Sequence, residues 1–139
     1  MNALLSRATL IAYITVLLLF AVLDGIWLGI IAMPWYQDAF AGLLREPFIT
    51  WPWMVFYLAY CLIVVVLAVC PGRHTSVLSA LGRGAMLGAA AYGTYNLTGY
   101  SIIAGWPLNM TLVDLAWGTV ATALLSTAGR AMINRFGKQ

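Results

Sequence analysis

Hydrophobic positions along the chain gather into four blocks, roughly residues 8–33, 52–70, 77–99 and 110–132. Each meets the ~20 residues needed to cross a hydrocarbon core of ~30 Å. The first is long enough to tilt or to protrude. The pattern predicts an all-α fold: a four-helix transmembrane bundle forming a single integral membrane domain over residues 1–139. Between the first two blocks, "PWYQDAFAGLLREPF" places Tyr36, Phe40, Leu43 and Leu44 at helical spacing, with Pro34 suited to a helix start and Pro47 to a stop. This predicts a short amphipathic interfacial helix on the outer surface. The alternative is a helix packed over the bundle as a lid.

The third block is rich in small residues, among them Gly84, Ala85, Gly88, Ala89 and Gly93. In lipid, small residues let helices approach closely. The third span is therefore expected to be the central, tightly packed helix. The Gly84 and Gly88 pair, four residues apart, also offers a dimer seam and hence a homo-oligomer.

Polar residues interrupt the blocks at comparable depths. "FAVLDGIWLG" puts Asp24 inside the first span, and "TLVDLAWGTV" puts Asp114 inside the fourth; each aspartate has a tryptophan three residues on, Trp27 and Trp117. Tyr57 and Tyr60 lie in the second span, Tyr92 and Asn96 in the third. By the three-four rule these residues share stripes with other aromatic and small residues, which predicts one polar, aromatic-walled pocket between the helices. Spans one and four run in opposite directions. Asp24 is then near Trp117, and Asp114 near Trp27. An indole donates and a carboxylate accepts, so two reciprocal Trp–Asp bonds can clip the helices together.

Composition agrees with a bilayer as solvent. Hydrophobic residues make up 63% of the chain and charged ones 8%, against about 25% charged in soluble domains. The basic residues Arg7, Arg73, Arg83, Arg130, Arg135 and Lys138 fall at the N-terminus, in the second connection or in the tail. The positive-inside rule then places both termini in the cytoplasm, with Trp35, Trp51, Trp53 and Trp106 at the outer interface. The first apolar run reads as a span and not as a signal peptide: it is long, contains Asp24, and lacks a clear cleavage site. Cys61 and Cys70 face opposite ways on one helix and read as small buried hydrophobes.

Much chemistry is disfavoured. The one histidine, His74, lies in the cytoplasmic connection, so no zinc site, bis-histidine haem site or Ser-His-Asp set is expected, and no cofactor. No lysine lies within a span to form a Schiff base. The basic tail "RAMINRFGK" reads as a topology signal, not as a nucleic-acid site. What remains is the pair of carboxyls. No Lys or Arg lies in the outer half of any span. A buried carboxyl without a basic partner must hold a proton, share one, or meet a cation from outside. An ionisable group in a span is a functional-site hypothesis by default.

Taken together, "LDGIWLG", "AMPWYQ", "RGAMLGAAAYGTYNLTGY", "GWPL" and "TLVDLAWGT" resemble the bacterial membrane family known as domain of unknown function 2177. The resemblance spans residues 10–128. It implies a four-span, multi-pass protein of the bacterial inner membrane, and brings no known activity. The family pattern usually has an aspartate where this chain has Asn96, which leaves Asp24 and Asp114 as the acid pair.

Three functions are compatible with these residues. The first is binding or transport of a small amphiphilic, cationic or lipid ligand by Asp24, Trp27, Tyr57, Tyr60, Tyr92, Asn96, Asp114 and Trp117. The second is a membrane enzyme doing acid–base chemistry on a lipid, with Asp24 and Asp114 as catalytic candidates. The third is a structural or assembly protein in which the acids only stitch helices together. Ligand binding or transport is the leading expectation.

Overall fold

The structure, a computed structural model, describes residues 6–42, 44–72 and 75–137. Leu43, Arg73, His74 and Lys138, used above for the interfacial helix and the topology, lie outside the described residues. Helix α1 (Arg7–Ile26) runs on through a π-helical turn, Trp27–Ile31. A short α2 (Met33–Ala39) follows, then α3 (Trp51–Val64), which ends in a second π-helical turn, Val65–Val69. The long helices α4 (Val77–Ile102) and α5 (Leu108–Phe136) complete the chain. The described residues are all-helical, without strands.

Local signals account for the boundaries. Ser6 caps α1, its hydroxyl accepting from the Thr9 N–H at 3.2 Å, and Ser76 caps α4, accepting from the Ser79 N–H at 3.0 Å. Pro34 and Pro52 stand in the first turns of α2 and α3, where a missing N–H costs nothing. The sequence predicts a helix from Pro34 to Pro47, but α2 stops at Ala39. Gly42 takes a left-handed φ of +80°, which turns the chain away before the second half of that segment can wind.

Three helical segments are long and apolar enough to cross a membrane: Arg7–Ile31, Trp51–Val69 and Leu108–Phe136. The fourth, α4, has the length, 26 residues, or about 39 Å at the α-helical rise. Its glycines, threonines and tyrosines dilute its apolar character. The expected first three blocks match helices to within three residues. The last helix runs four residues past the expected 132 and contains Arg130. Its guanidinium is buried and donates to the Val69 carbonyl at 3.2 Å. Arg83 likewise donates to the Ala68 carbonyl, at 2.8 and 3.0 Å. Two arginines thus satisfy carbonyls at the C-terminal end of the α3 segment, where a helix leaves acceptors without partners.

The interior follows a period of about four. On α1, Ala12, Val16, Phe20 and Asp24 are buried, while Leu10, Ile14, Leu18, Val22, Ile26 and Ile30 form an exposed apolar stripe. An exposed row of this kind is unsuited to water and suited to lipid. Phe20 packs with Tyr57 and Tyr60 of α3 at ring distances of 4.9 and 5.7 Å.

The tightest seam joins α4 to α5, which run antiparallel. A methyl added at Gly84 would lie 2.6 Å from the Thr122 carbonyl oxygen, and one at Gly88 would lie 2.3 Å from that of Gly118. Gly118 in turn lies under the Tyr92 ring. Close packing is therefore the use of Gly84 and Gly88. The face that the dimer seam would use is turned to α5 of the same chain.

Candidate functional site

The two aspartates face one another's helices in the half of the molecule beneath α2. Asp24 comes from the last turns of α1 and Asp114 from the second turn of α5. Both are about 95% buried. The Asp24 carboxyl accepts from the Tyr57 hydroxyl and from the Trp117 indole N–H, the latter at 3.3 Å. The Asp114 carboxyl accepts from Asn96 Nδ2 at 2.7 Å, and that amide also donates to the Tyr92 carbonyl at 3.1 Å. A carboxylate offers about four acceptor sites, so both acids keep acceptor capacity.

The paired Asp–Trp motifs meet as the antiparallel spans require. Trp27 and Trp117 stack face to face, centroids 4.6 Å apart and planes 7° apart. Of the two expected clips, Trp117 to Asp24 forms. The other is looser. The Trp27 indole interacts with the Asp114 carboxyl, but its Nε1, fully buried, has no hydrogen-bond partner among the described residues. A π-helical turn begins at Trp27. Its closing bond, from the Ala32 N–H to the Trp27 carbonyl at 2.7 Å, inserts an extra residue into the helical ladder beyond Trp27. Such turns occur often at functional sites.

Asp24, Trp27, Tyr57, Tyr92 and Asp114 line a cavity of about 230 Å³ together with Tyr36, Trp53, Phe56 and Tyr95. This is far above the ~10–15 Å³ that admits one water. Three expected site residues stand behind its wall. Tyr60 turns to Thr122, oxygen to oxygen 2.7 Å. Asn96 braces Asp114, and Trp117 holds Trp27 and Asp24. They position the lining and do not form it.

Sequence reasoning missed Tyr36, Phe56 and Tyr95 as lining residues. The signal for Tyr36 was present, because a short helix lying over the bundle was one of the two readings of that connection. Phe40 of the same segment packs edge-on against Trp106 at 5.1 Å, and the Trp106 ring lies on Gly99. Trp106 is therefore a packing residue more than an interfacial anchor, while α2 contributes Tyr36 to the cavity and leaves most of its surface exposed. Burial pushes the Tyr36 phenol well above its ordinary range, and the Asp114 and Asp24 carboxyls add to the effect. Phe56 and Tyr95 carry no signal that separates them from lipid-facing aromatics.

No Lys or Arg is among the residues lining the cavity. Among the described residues, no group of three or more His, Cys, Asp or Glu is placed to hold a metal ion. The cavity is thus lined by two carboxyls and a wall of tyrosine and tryptophan rings.

Comparison with known proteins places the chain in a family. It belongs to the family described as predicted membrane protein DUF2177, whose model matches residues 9–131. None of the curated proteins and none of the solved structures matches it.

Proposed function

We propose that this member of the DUF2177 family binds, and carries within the membrane, a small amphiphile with a cationic head. The observation that carries the reading is the cavity itself: two buried carboxyls and several aromatic faces, with no basic residue lining it. An ammonium placed there meets negative charge and ring faces at once, and a desolvated cation–π contact is worth up to about 2 kcal/mol.

The reading includes a topology. In it α4 crosses the membrane as a fourth span, its small and polar face sheltered by α5 and its outer face made of Leu78, Met86, Leu97 and Ile102. Arg7, Arg83, Arg130 and Arg135 gather at the end opposite α2. That supports cytoplasmic termini and a cavity on the outer side of a bacterial inner membrane.

The test is a titration of the protein in nanodiscs with butyltrimethylammonium, read by tryptophan fluorescence from the Trp27–Trp117 stack. The expected result is a saturable change that is lost in Asp24→Asn and Asp114→Asn. It is also absent with the uncharged isostere, in which carbon replaces nitrogen. No saturable change, or equal binding of the isostere, contradicts the proposal. The clip reading has its own support in the Trp117–Asp24 bond. It expects the same variants to lose stability and the wild type to bind neither compound.

A further inference from the structure

Beside the cavity, a second and larger space of about 530 Å³ runs between α1 and α3. Its α1 wall is Leu17, Ala21, Gly25 and Gly29, a stripe of period four that spans twelve residues, or about 18 Å. Its α3 wall includes Met54 and Leu58. Asp24, Leu28, Trp53 and Tyr57 line both spaces. The groove and the carboxylate cavity therefore adjoin, with the hydrogen-bonded Asp24 and Tyr57 between them.

The neighbouring α1 stripe from Leu10 to Ile30 carries a large apolar side chain at every fourth position. The groove stripe drops to alanine and glycine where it passes Asp24. A methyl built on Gly25 or Gly29 meets nothing within 4 Å, so no neighbouring helix requires these glycines. That separates them from Gly84 and Gly88, which packing does require. An apolar groove at this depth in a bilayer is filled by hydrocarbon, since water there would find few polar partners.

We propose that the α1–α3 groove holds the alkyl chain of the ligand, which reaches Asp24 sideways from the bilayer while its cationic head occupies the cavity. The ligand class is thus narrowed to a long-chain amphiphile with a compact ammonium head. Charge complementarity with Asp24 and Asp114 selects the head. The groove's place beside the cavity at Asp24 sets the chain's position. This inference rests on the function proposed above.

The test compares butyltrimethylammonium with dodecyltrimethylammonium on wild type, Gly25→Leu and Gly29→Leu in nanodiscs, by the same fluorescence titration. Both variants put a large side chain into open space, so the fold is expected to stand, and thermal unfolding checks it. Wild type is expected to bind both compounds. Each variant is expected to bind the butyl compound as wild type does. Its affinity for the dodecyl compound should fall roughly tenfold or more, as expected for forcing a chain into an overfilled site. Undiminished binding of the dodecyl compound by both variants overturns the groove assignment and leaves the cavity reading intact. A wild type that binds neither compound overturns both.

Discussion

Replacing Gly88 by alanine tests the α4–α5 seam on which the site rests. The new methyl carbon would lie 2.3 Å from the Gly118 carbonyl oxygen, 2.8 Å from Thr122 Oγ1 and 2.9 Å from the Gly118 carbonyl carbon. Ordinary contact begins near 3.4 Å, so relief needs about 1.1 Å. The obstacle is backbone and cannot rotate aside; the helices themselves must separate. A gap of about 0.5–1 Å forfeits a quarter to a half of each dispersion contact along the seam, and overfilled cores typically lose about 1–3 kcal/mol. Alanine is a better helix former than glycine by roughly 0.5–1 kcal/mol, which offsets only part of this. The net loss is expected to be about 1–2 kcal/mol. Gly25→Ala is the internal control: its methyl meets nothing, so only the propensity gain remains and stability should hold or rise. The assay is thermal unfolding in detergent, followed by tryptophan fluorescence. A Gly88→Ala protein that melts with wild type, or a Gly25→Ala protein that melts below it, refutes the reasoning.

Asp24→Ala should destabilise more than Asp24→Asn, because it strands both the Tyr57 hydroxyl and the Trp117 N–H at about 1–3 kcal/mol for each buried donor left unpaired; unfolding midpoints of the two variants give the order. Arg130→Met should cost about 1–3 kcal/mol by freeing the Val69 carbonyl, and Arg130→Lys should recover part of that in the same assay. Tyr36 gives a pH dependence. Its phenol is raised in the folded protein, so the fold favours the protonated form, and that contribution is full below about pH 10, where a free phenol titrates. It declines as pH rises further. Midpoints measured from pH 8 to 11 should fall at the alkaline end for wild type and less for Tyr36→Phe.

The long helices were legible because lipid imposes simple rules. Uniformly apolar runs of fixed length locate α1, α3 and α5. The small residues at Gly84 and Gly88 signal close approach, though not which helix approaches. The Asp–Trp echo in antiparallel spans located the Trp117–Asp24 bond. Local backbone geometry could not be read. Nothing in "IWLGII" announces a π-helical turn. Composition placed α2 over the bundle only as one alternative, since the spacing of Tyr36 and Phe40 suits an interfacial helix equally well. Arg130 reads as part of a basic tail that sets topology. Its burial depends on the Val69 carbonyl, 61 residues away in sequence at the end of the α3 segment.

The central claim is that the cavity between Asp24 and Asp114 is built to be occupied. Native mass spectrometry of the detergent-purified protein, wild type beside Asp24→Asn and Asp114→Asn, tests it most directly. The account predicts a bound cationic amphiphile on wild type that both variants lose while remaining folded. A folded wild type carrying no specific molecule, beside variants that fall apart, would contradict it and leave the aspartates as stitches between helices.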